Sequence, residues 1–368
     1  MKVNKTVWVM SNEYAPQIIG GLGTVTTQLT RALDKEKVKI VVLTSGQSFD
    51  QLLEQDQSTP LYRFPYTQAY YNSKKRFFKV DPVVKYMEQS GVNLPTLIHI
   101  HSMEFVEIAL YYKRKYNCPI VYSCHSLIDR DTKRYSLVLQ KKMLRQASCI
   151  VVPSIWQKND LGRRYPFAKK RTKVVRHGVN LVQASSTASH SKLLFVGRVV
   201  PNKGVEELIR AISILKKRNR NVQLDIIGKG SVNYMKRLHQ IARRYKVSAN
   251  VNTRGFYPPD QIQTLITQYG AMVMPSKTES FGLVALEAMA SQVPLVSTRS
   301  GGLKDFVRST RAQIIPNVNS KSIAKAIQNM WSKPNLTAKR VKHAYNYAQR
   351  NSWSQIAKSY MEIFNRLQ

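Results

Sequence analysis

The chain has 368 residues, 58 of them Lys or Arg against 21 Asp or Glu, giving a formal charge of +37, and 43% of it is hydrophobic. That is longer than one core usually spans, so two domains of ordinary size are expected. No apolar run approaches the roughly 18 residues of a membrane-spanning helix, which argues against an integral membrane protein.

Lys2 and Lys5 lead into the apolar run Thr6–Met10, shorter than the roughly 7–15 residues of a secretion signal, so the cytoplasm is the expected location. The same run is the first of ten stretches that read as strands. The others are Val38–Thr44, Thr96–His101, Pro119–Cys124, Ser148–Val152, Leu193–Val196, Val222–Ile227, Ala271–Met274, Pro294–Ser297 and Gln313–Ile315. Helical periodicity fills the intervals. Val205, Leu208, Ile209, Ile212 and Leu215 keep one apolar face, as do Ile356, Tyr360, Ile363, Phe364 and Leu367. Such alternation predicts an α/β protein with parallel sheets covered by helices on both faces. The pattern stops around Leu181–Ser191, a small polar stretch that reads as a linker. The expected organisation is therefore one α/β domain over 1–180, a linker over 181–191, a second α/β domain over 192–350 and a last helical segment over 351–368. Ser352 with Gln355 three positions on is a capping-box pattern. Trp353, Tyr360 and Phe364 are too apolar for a free tail, so the final helix is expected to pack back onto the body.

Cys118, Cys124 and Cys149 show neither metal-site nor redox-motif spacing and are expected to be buried, reduced thiols. No metal site is expected. The basic excess is spread over both halves, with clusters at Lys74–Arg76, Lys113–Lys115, Lys169–Arg171 and Lys216–Arg218. Charge of this kind attracts polyanions without sequence selectivity. Zinc-finger spacing, an aromatic RNA-binding strand and a basic helix with heptads are all missing, so no specific nucleic acid is expected.

Four segments could carry chemistry. Gly20-Gly21-Leu22-Gly23 stands between the first strand and a helix expected from about Thr24. It would present backbone amides to an anion, or else form a tight turn with no ligand. Val196–Gly204 holds Arg198 and Lys203 at the carboxyl end of a strand, where doubly wound sheets bind ligands. Two cations there can converge on one diphosphate, although two more surface charges are the plainer reading. In Pro275–Ala290 the helix from Leu283 is apolar on every face except Glu287, whose carboxylate needs a partner, either ribose hydroxyls or a structural cation. Glu279 precedes that helix, and the Gly282 and Leu283 amides would receive phosphate. His125 follows a strand in PIVYSCHSLIDRD and lies on the ligand side of its sheet, with His101 and nearby Glu104 as its competitor. His99, on its strand, reads as a core residue.

Together the GGLG loop, the Arg198…Lys203-Gly204 segment, the PSKTESFGLVALEAMA block and the following PLVSTRSGGLKDFV resemble the retaining GT-B glycosyltransferases of family four. That family, the group 1 glycosyl transferases, includes relatives of sucrose-phosphate synthase and of bacterial lipid and polysaccharide glycosyltransferases. The resemblance implies two Rossmann-like domains facing a cleft, with the last helix crossing back to the first. It implies that Arg198 and Lys203 neutralise the diphosphate of a nucleotide-sugar donor, that Glu287 binds ribose, and that Glu279 and His125 serve the donor sugar. Gly20, Gly21 and Gly23 would lie against the diphosphate from the first domain. Gly228, Phe256 and Tyr257 are candidates for the base. Gln292 stands where the family usually has a helix-ending glycine. The implied activity is retaining transfer of a sugar, from a UDP-sugar by family habit, to a hydroxyl acceptor. No metal or other cofactor is required, and the charge favours an anionic acceptor or peripheral association with an anionic membrane. The rival readings are a sugar-nucleotide epimerase and a non-catalytic polyanion-binding or coat-type protein on the same scaffold.

Overall fold

All ten apolar runs form strands, since unbroken rows of Val, Ile and Leu suit a sheet covered on both faces. The computed structural model describes residues 6–46, 53–128, 134–182, 189–217 and 221–367. The chain divides into two units, Met1–Gly178 with Trp353–Gln368, and Val179–Ser352.

In the first unit β1 (Thr6–Ser11), β2 (Lys39–Gly46), β3 (Leu53–Asp56) and β4 (Thr59–Pro65) come first. A small hairpin of β5 (Tyr71–Asn72) and β6 (Phe77–Phe78) follows, then β7 (Leu97–Ile100), β8 (Ile120–Ser123), β9 (Cys149–Val152) and β10 (Thr172–Val174). The main sheet runs β10-β9-β8-β7-β1-β2-β4-β3, parallel except where β3 meets β4. The second unit holds β11 (Ser189–Val196), β12 (Gln223–Ile227), β13 (Val251–Gly255), β14 (Tyr269–Met274), β15 (Leu295–Ser297) and β16 (Gln313–Ile314). Its parallel sheet runs β13-β12-β11-β14-β15-β16. Along β11 alternate residues serve opposite cores: Leu193 and Phe195 join one cluster, Leu194 and Val196 the other. In each sheet the first strand lies inside, so strand order reverses beside β1 and beside β11. Such a reversal opens a ligand crevice at the strands' carboxyl ends.

The helix Trp353–Leu367 belongs to the first unit, as its apolar face requires. Tyr360, Ile363 and Phe364 are buried, and Tyr360 Oη lies 2.9 Å from Ser123 Oγ. Gly178 meets the Trp353 ring so closely that a Cβ there would lie 2.6 Å from it. The three cysteines are free and buried. Among the described residues no helix is long and apolar enough to cross a membrane.

The structure adds strands that periodicity does not reveal. β4 is bracketed by Pro60 and Pro65 and carries Arg63, a residue that normally marks a surface, yet Arg63 is buried. Its guanidinium donates to Glu54 at 2.7 Å and to the carbonyls of Tyr14 and Ala15. β13 and β10 are polar edge strands. Two boundaries are corrected. Ser189–Ser191, read as linker, begin β11, while 183–188 lie outside the described residues. The first helix runs Gly21–Lys35, so Gly21 and Gly23 sit in its first turn and not ahead of it.

Gln292 follows the helix Leu283–Ala290 with φ +57°, the left-handed conformation in which glycine is free of strain. For an L-residue that conformation costs about 1–2 kcal/mol, partly offset by the entropy a glycine loses on folding. Gln292→Gly is accordingly expected to stabilise by about 0.5–1 kcal/mol, raising Tm by roughly 1–4 °C for a unit of this size. Calorimetry checks it, and an unchanged or lower Tm would count against strain at this position.

Candidate active site

At the crevice of the second unit, the loops after β11 and β14 are stitched together by backbone. Lys277 N–H donates to Asn202 O at 2.8 Å, and Gly302 N–H to Glu279 O at 2.7 Å. A Cβ on Gly301 would collide with the Glu279 backbone and one on Gly302 with that of Ser280. Gly282 takes φ +97° to turn the chain into the helix Leu283–Ala290.

This stitching brings Lys203 and Glu279 together. Lys203 Nζ lies 2.5 Å from Glu279 Oε1, which also accepts from Ser276 Oγ at 2.9 Å. Their side chains are only 15% and 12% exposed, which sets this pair apart from a solvated surface bridge. Arg198, on the same loop as Lys203, is exposed, and its guanidinium has no partner among the described residues. The Gly282 and Leu283 N–H groups lead a helix that has no side-chain cap. Glu287 projects from that helix half-buried, and no cation or donor meets it among the described residues. Burial pushes its carboxyl up to about 7. Of the base candidates, Gly228 N–H donates to Gly255 O at 2.7 Å. Phe256 is exposed beneath the Lys229 ammonium, 4.7 Å from its ring centre, and Tyr257 packs partly into the core.

The first unit has its own crevice, between the loops after β1 and β7. There Glu13, which no sequence argument picked out, accepts from the N–H groups of Ile19 (3.0 Å), Gly20 (3.0 Å) and Gly23 (3.3 Å). The Gly20 and Gly23 amides, expected to face a diphosphate, are thus engaged within the chain. The helix start has drawn an internal carboxylate to its positive end. An acidic residue eight positions before a helix that lacks acid in its first turn was the available signal. Beside it lies a cavity of about 480 Å³ whose lining includes Glu13, Arg76, Glu104, His101, His125 and Gln140.

His125 stands within a row of four histidines. His101 Nδ1 lies 2.9 Å from His125 Nε2. The His125 ring stacks on His177 at 5.4 Å, and His101 lies 4.2 Å from His99. His99 Nε2 is 2.8 Å from Ser123 Oγ, which reaches Tyr360. Burial lowers all four rings, His125 to about 4 and His99 to about 3, so they are neutral near pH 7. Burial also pushes the Glu104 carboxyl up. Sequence reading does not single out His177, because its stack on His125 spans 52 residues of sequence. Among the described residues no three His, Cys, Asp or Glu side chains are grouped so as to hold a metal ion.

Residues 19–183 match the family model described as Glycosyltransferase Family 4, and residues 183–348 match Glycosyl transferases group 1. The two abut and together span nearly the whole chain. The chain belongs to the family 4, group 1 glycosyltransferases. This glycosyltransferase is similar to an uncharacterised glycosyltransferase of Methanocaldococcus jannaschii, 26% identical over 394 aligned positions covering 99% of this chain and 98% of that one. In fold it is similar to the sucrose-phosphate synthase of Thermosynechococcus elongatus, with TM-score 0.83, 21% identity and 99% of each chain covered. It is likewise similar to HepE of Anabaena in complex with UDP and glucose, with TM-score 0.80, 21% identity, and 98% and 99% covered. These likenesses make the architecture GT-B. Family membership sets the epimerase and coat-protein readings aside.

The raised carboxyl of Glu287 makes a pH prediction. Its folded value, about 7, exceeds the roughly 4.3 of an unfolded Glu, so the folded enzyme holds this proton more tightly. Stability from this group is fully present below about pH 4.3 and is lost as pH rises through 7. Glu287→Gln never acquires the buried charge. Its Tm relative to the parent should therefore rise between pH 5 and pH 8, as scanning calorimetry at both values would show. A difference independent of pH would mean that Glu287 is ionised at ordinary cost.

Proposed function

We propose that this glycosyltransferase moves a sugar from a UDP-sugar to a hydroxyl of an anionic acceptor, with retention at the anomeric carbon. The observation that carries the reading is Glu287. It is a carboxylate half-buried beside the switch-point crevice with no partner among the described residues, and ribose hydroxyls would supply the donors it lacks. Uridine is favoured because HepE, similar in fold, has been solved with UDP. Gly228, Phe256 and Tyr257 stand after the neighbouring strands β12 and β13, where a base extending from the diphosphate would lie.

In this reading Arg198, Lys203 and the Gly282 and Leu283 amides hold the diphosphate. Negative charge grows on the leaving phosphate oxygen as the glycosidic bond breaks, and fixed cations and amides stabilise it without reorganising. That oxygen takes the acceptor proton while the acceptor oxygen bonds to the same face of the sugar, so retention needs neither a protein base nor a metal ion. Glu279, anchored by Lys203 and Ser276, faces the positive charge that develops on the sugar ring, and His125 holds a sugar hydroxyl.

Donor screening tests the reading. The UDP-sugar should raise Tm more than ADP- or GDP-sugars, because only the folded state binds it. Arg198→Ala should weaken UDP binding by about 10- to 150-fold in calorimetric titration, the value of one charge-assisted contact. Glu279→Gln should lower kcat by about 10²–10³, whereas Glu287→Gln should chiefly raise donor KM. Unchanged UDP affinity in Arg198→Ala would remove the diphosphate site, and kcat loss confined to Glu287→Gln would reverse the two glutamate roles.

The anionic acceptor and peripheral membrane association rest on one surface of the first unit. Between 134 and 173 the sole acid is Asp160, which Arg163 and Arg164 already bind. Val138, Lys141 and Arg145 are exposed on one stripe of their helix, and the Arg145 guanidinium lies 5.5 Å from the exposed Phe167 ring, next to Lys169 and Lys170. Cations interleaved with a few exposed apolar side chains suit an anionic lipid interface. In flotation assays the enzyme should bind anionic but not neutral vesicles and be released as salt shortens the screening length below about 8–10 Å. Equal binding to both vesicle types would defeat the electrostatic account.

A further inference from the structure

His101 Nδ1 and His125 Nε2, 2.9 Å apart, share one proton between them. The far nitrogen of His101, Nε2, is buried without a partner among the described residues, and so is Nδ1 of His99. A buried N–H lacking an acceptor costs more than a bare ring nitrogen, because orphaned buried donors are rarer than under-used acceptors. Each of these rings is therefore cheapest with its proton on the bonded side. His99 donates from Nε2 to Ser123, and His101 donates from Nδ1 to His125. His125, receiving a proton's hydrogen bond at Nε2, must then carry its own proton on Nδ1 while it lines the cavity.

We propose that His101 is a positioning residue that fixes the Nδ1–H tautomer of His125, making His125 a hydrogen-bond donor to a substrate oxygen and not a base. This rests on the reading of His125 as part of the reaction. The rings around the pair agree with neutral imidazoles, since His99 and His177 flank it and Tyr360 and Phe364 of the last helix cover His99, while the charged groups facing the cavity are Glu13, Glu104 and Arg76. Burial holds both rings well below the ordinary histidine range, so the tautomer, and not the charge, is what His101 controls. A donor at this place also suits a reaction in which the leaving phosphate takes the acceptor proton.

Nitrogen-15 NMR of the full chain labelled at histidine reads the tautomer directly, the His125 signals being assigned by their loss in His125→Ala. In the parent, His125 Nδ1 should appear protonated and Nε2 bare. His101→Leu should shift His125 toward the Nε2–H form and lower kcat by about 10²-fold, the worth of one aimed donor, with UDP affinity unchanged. His101→Asn, whose amide can donate from near the place of Nδ1, should keep the parental tautomer and recover most of kcat. A parental His125 protonated on Nε2 overturns the proposal, even if the variants fail to fold. A parental tautomer in a folded His101→Leu also overturns it. If His125→Ala turns over like the parent, the functional reading of His125 fails, whereas the tautomer measurement still stands.

Discussion

Each sheet reverses its strand order once, beside β1 and beside β11, and the chemistry of the chain depends on that reversal. A parallel sheet covered on both faces has mostly apolar side chains along its strands, so most polar groups must come from the loops at its ends. At a reversal, neighbouring strands send their loops to opposite faces and leave a crevice between them. In the first unit that crevice receives Glu13 from one loop and His101 and Glu104 from the other. In the second it receives Lys203 and Glu279, one from each side.

The two crevices handle charge differently. The second holds the Lys203 ammonium and the Glu279 carboxylate 2.5 Å apart and largely enclosed, so each fixes the position of the other. Groups oriented in advance stabilise a developing charge without the reorganisation that water would need. The first spends its one helix-bound carboxylate, Glu13, on backbone amides and presents neutral imidazoles. Neutral rings can orient hydroxyls without competing for a phosphate.

Much of this was legible in the sequence, and the limits have physical causes. Unbroken apolar rows mark the central strands because their burial demands it, whereas β4 hides its strand behind Arg63, whose burial is compensated by partners from elsewhere. Arg198, Lys203, Glu279 and Glu287 could be picked out because each sits in a local motif next to a strand end. That Lys203 and Glu279 touch could not, since 76 residues separate them and the contact exists only once the sheet is assembled. The same holds for His101 and His125, which adjoin because β7 and β8 pair in register. Glu13 was missed because the glycines after it offered a simpler anion site than an internal carboxylate.

The glycines of the second unit explain why its motifs occur together. Glu279 is placed by backbone, not by side-chain packing: Gly302 N–H holds its carbonyl at 2.7 Å, and a Cβ on Gly301 would strike its main chain. The SGG segment after β15 therefore has no need of a ligand of its own. Its lack of side chains lets one loop lie against the next and fixes the carboxylate that the earlier loop carries. The ion pair completes the bracing, for Lys203 is tied to the same loop through the Lys277–Asn202 backbone bond. Three loops from three strands thus determine one carboxylate. In a site that works by preorganised charge, that over-determination makes the carboxylate's position a property of the fold and not of the side chain's own rotamers.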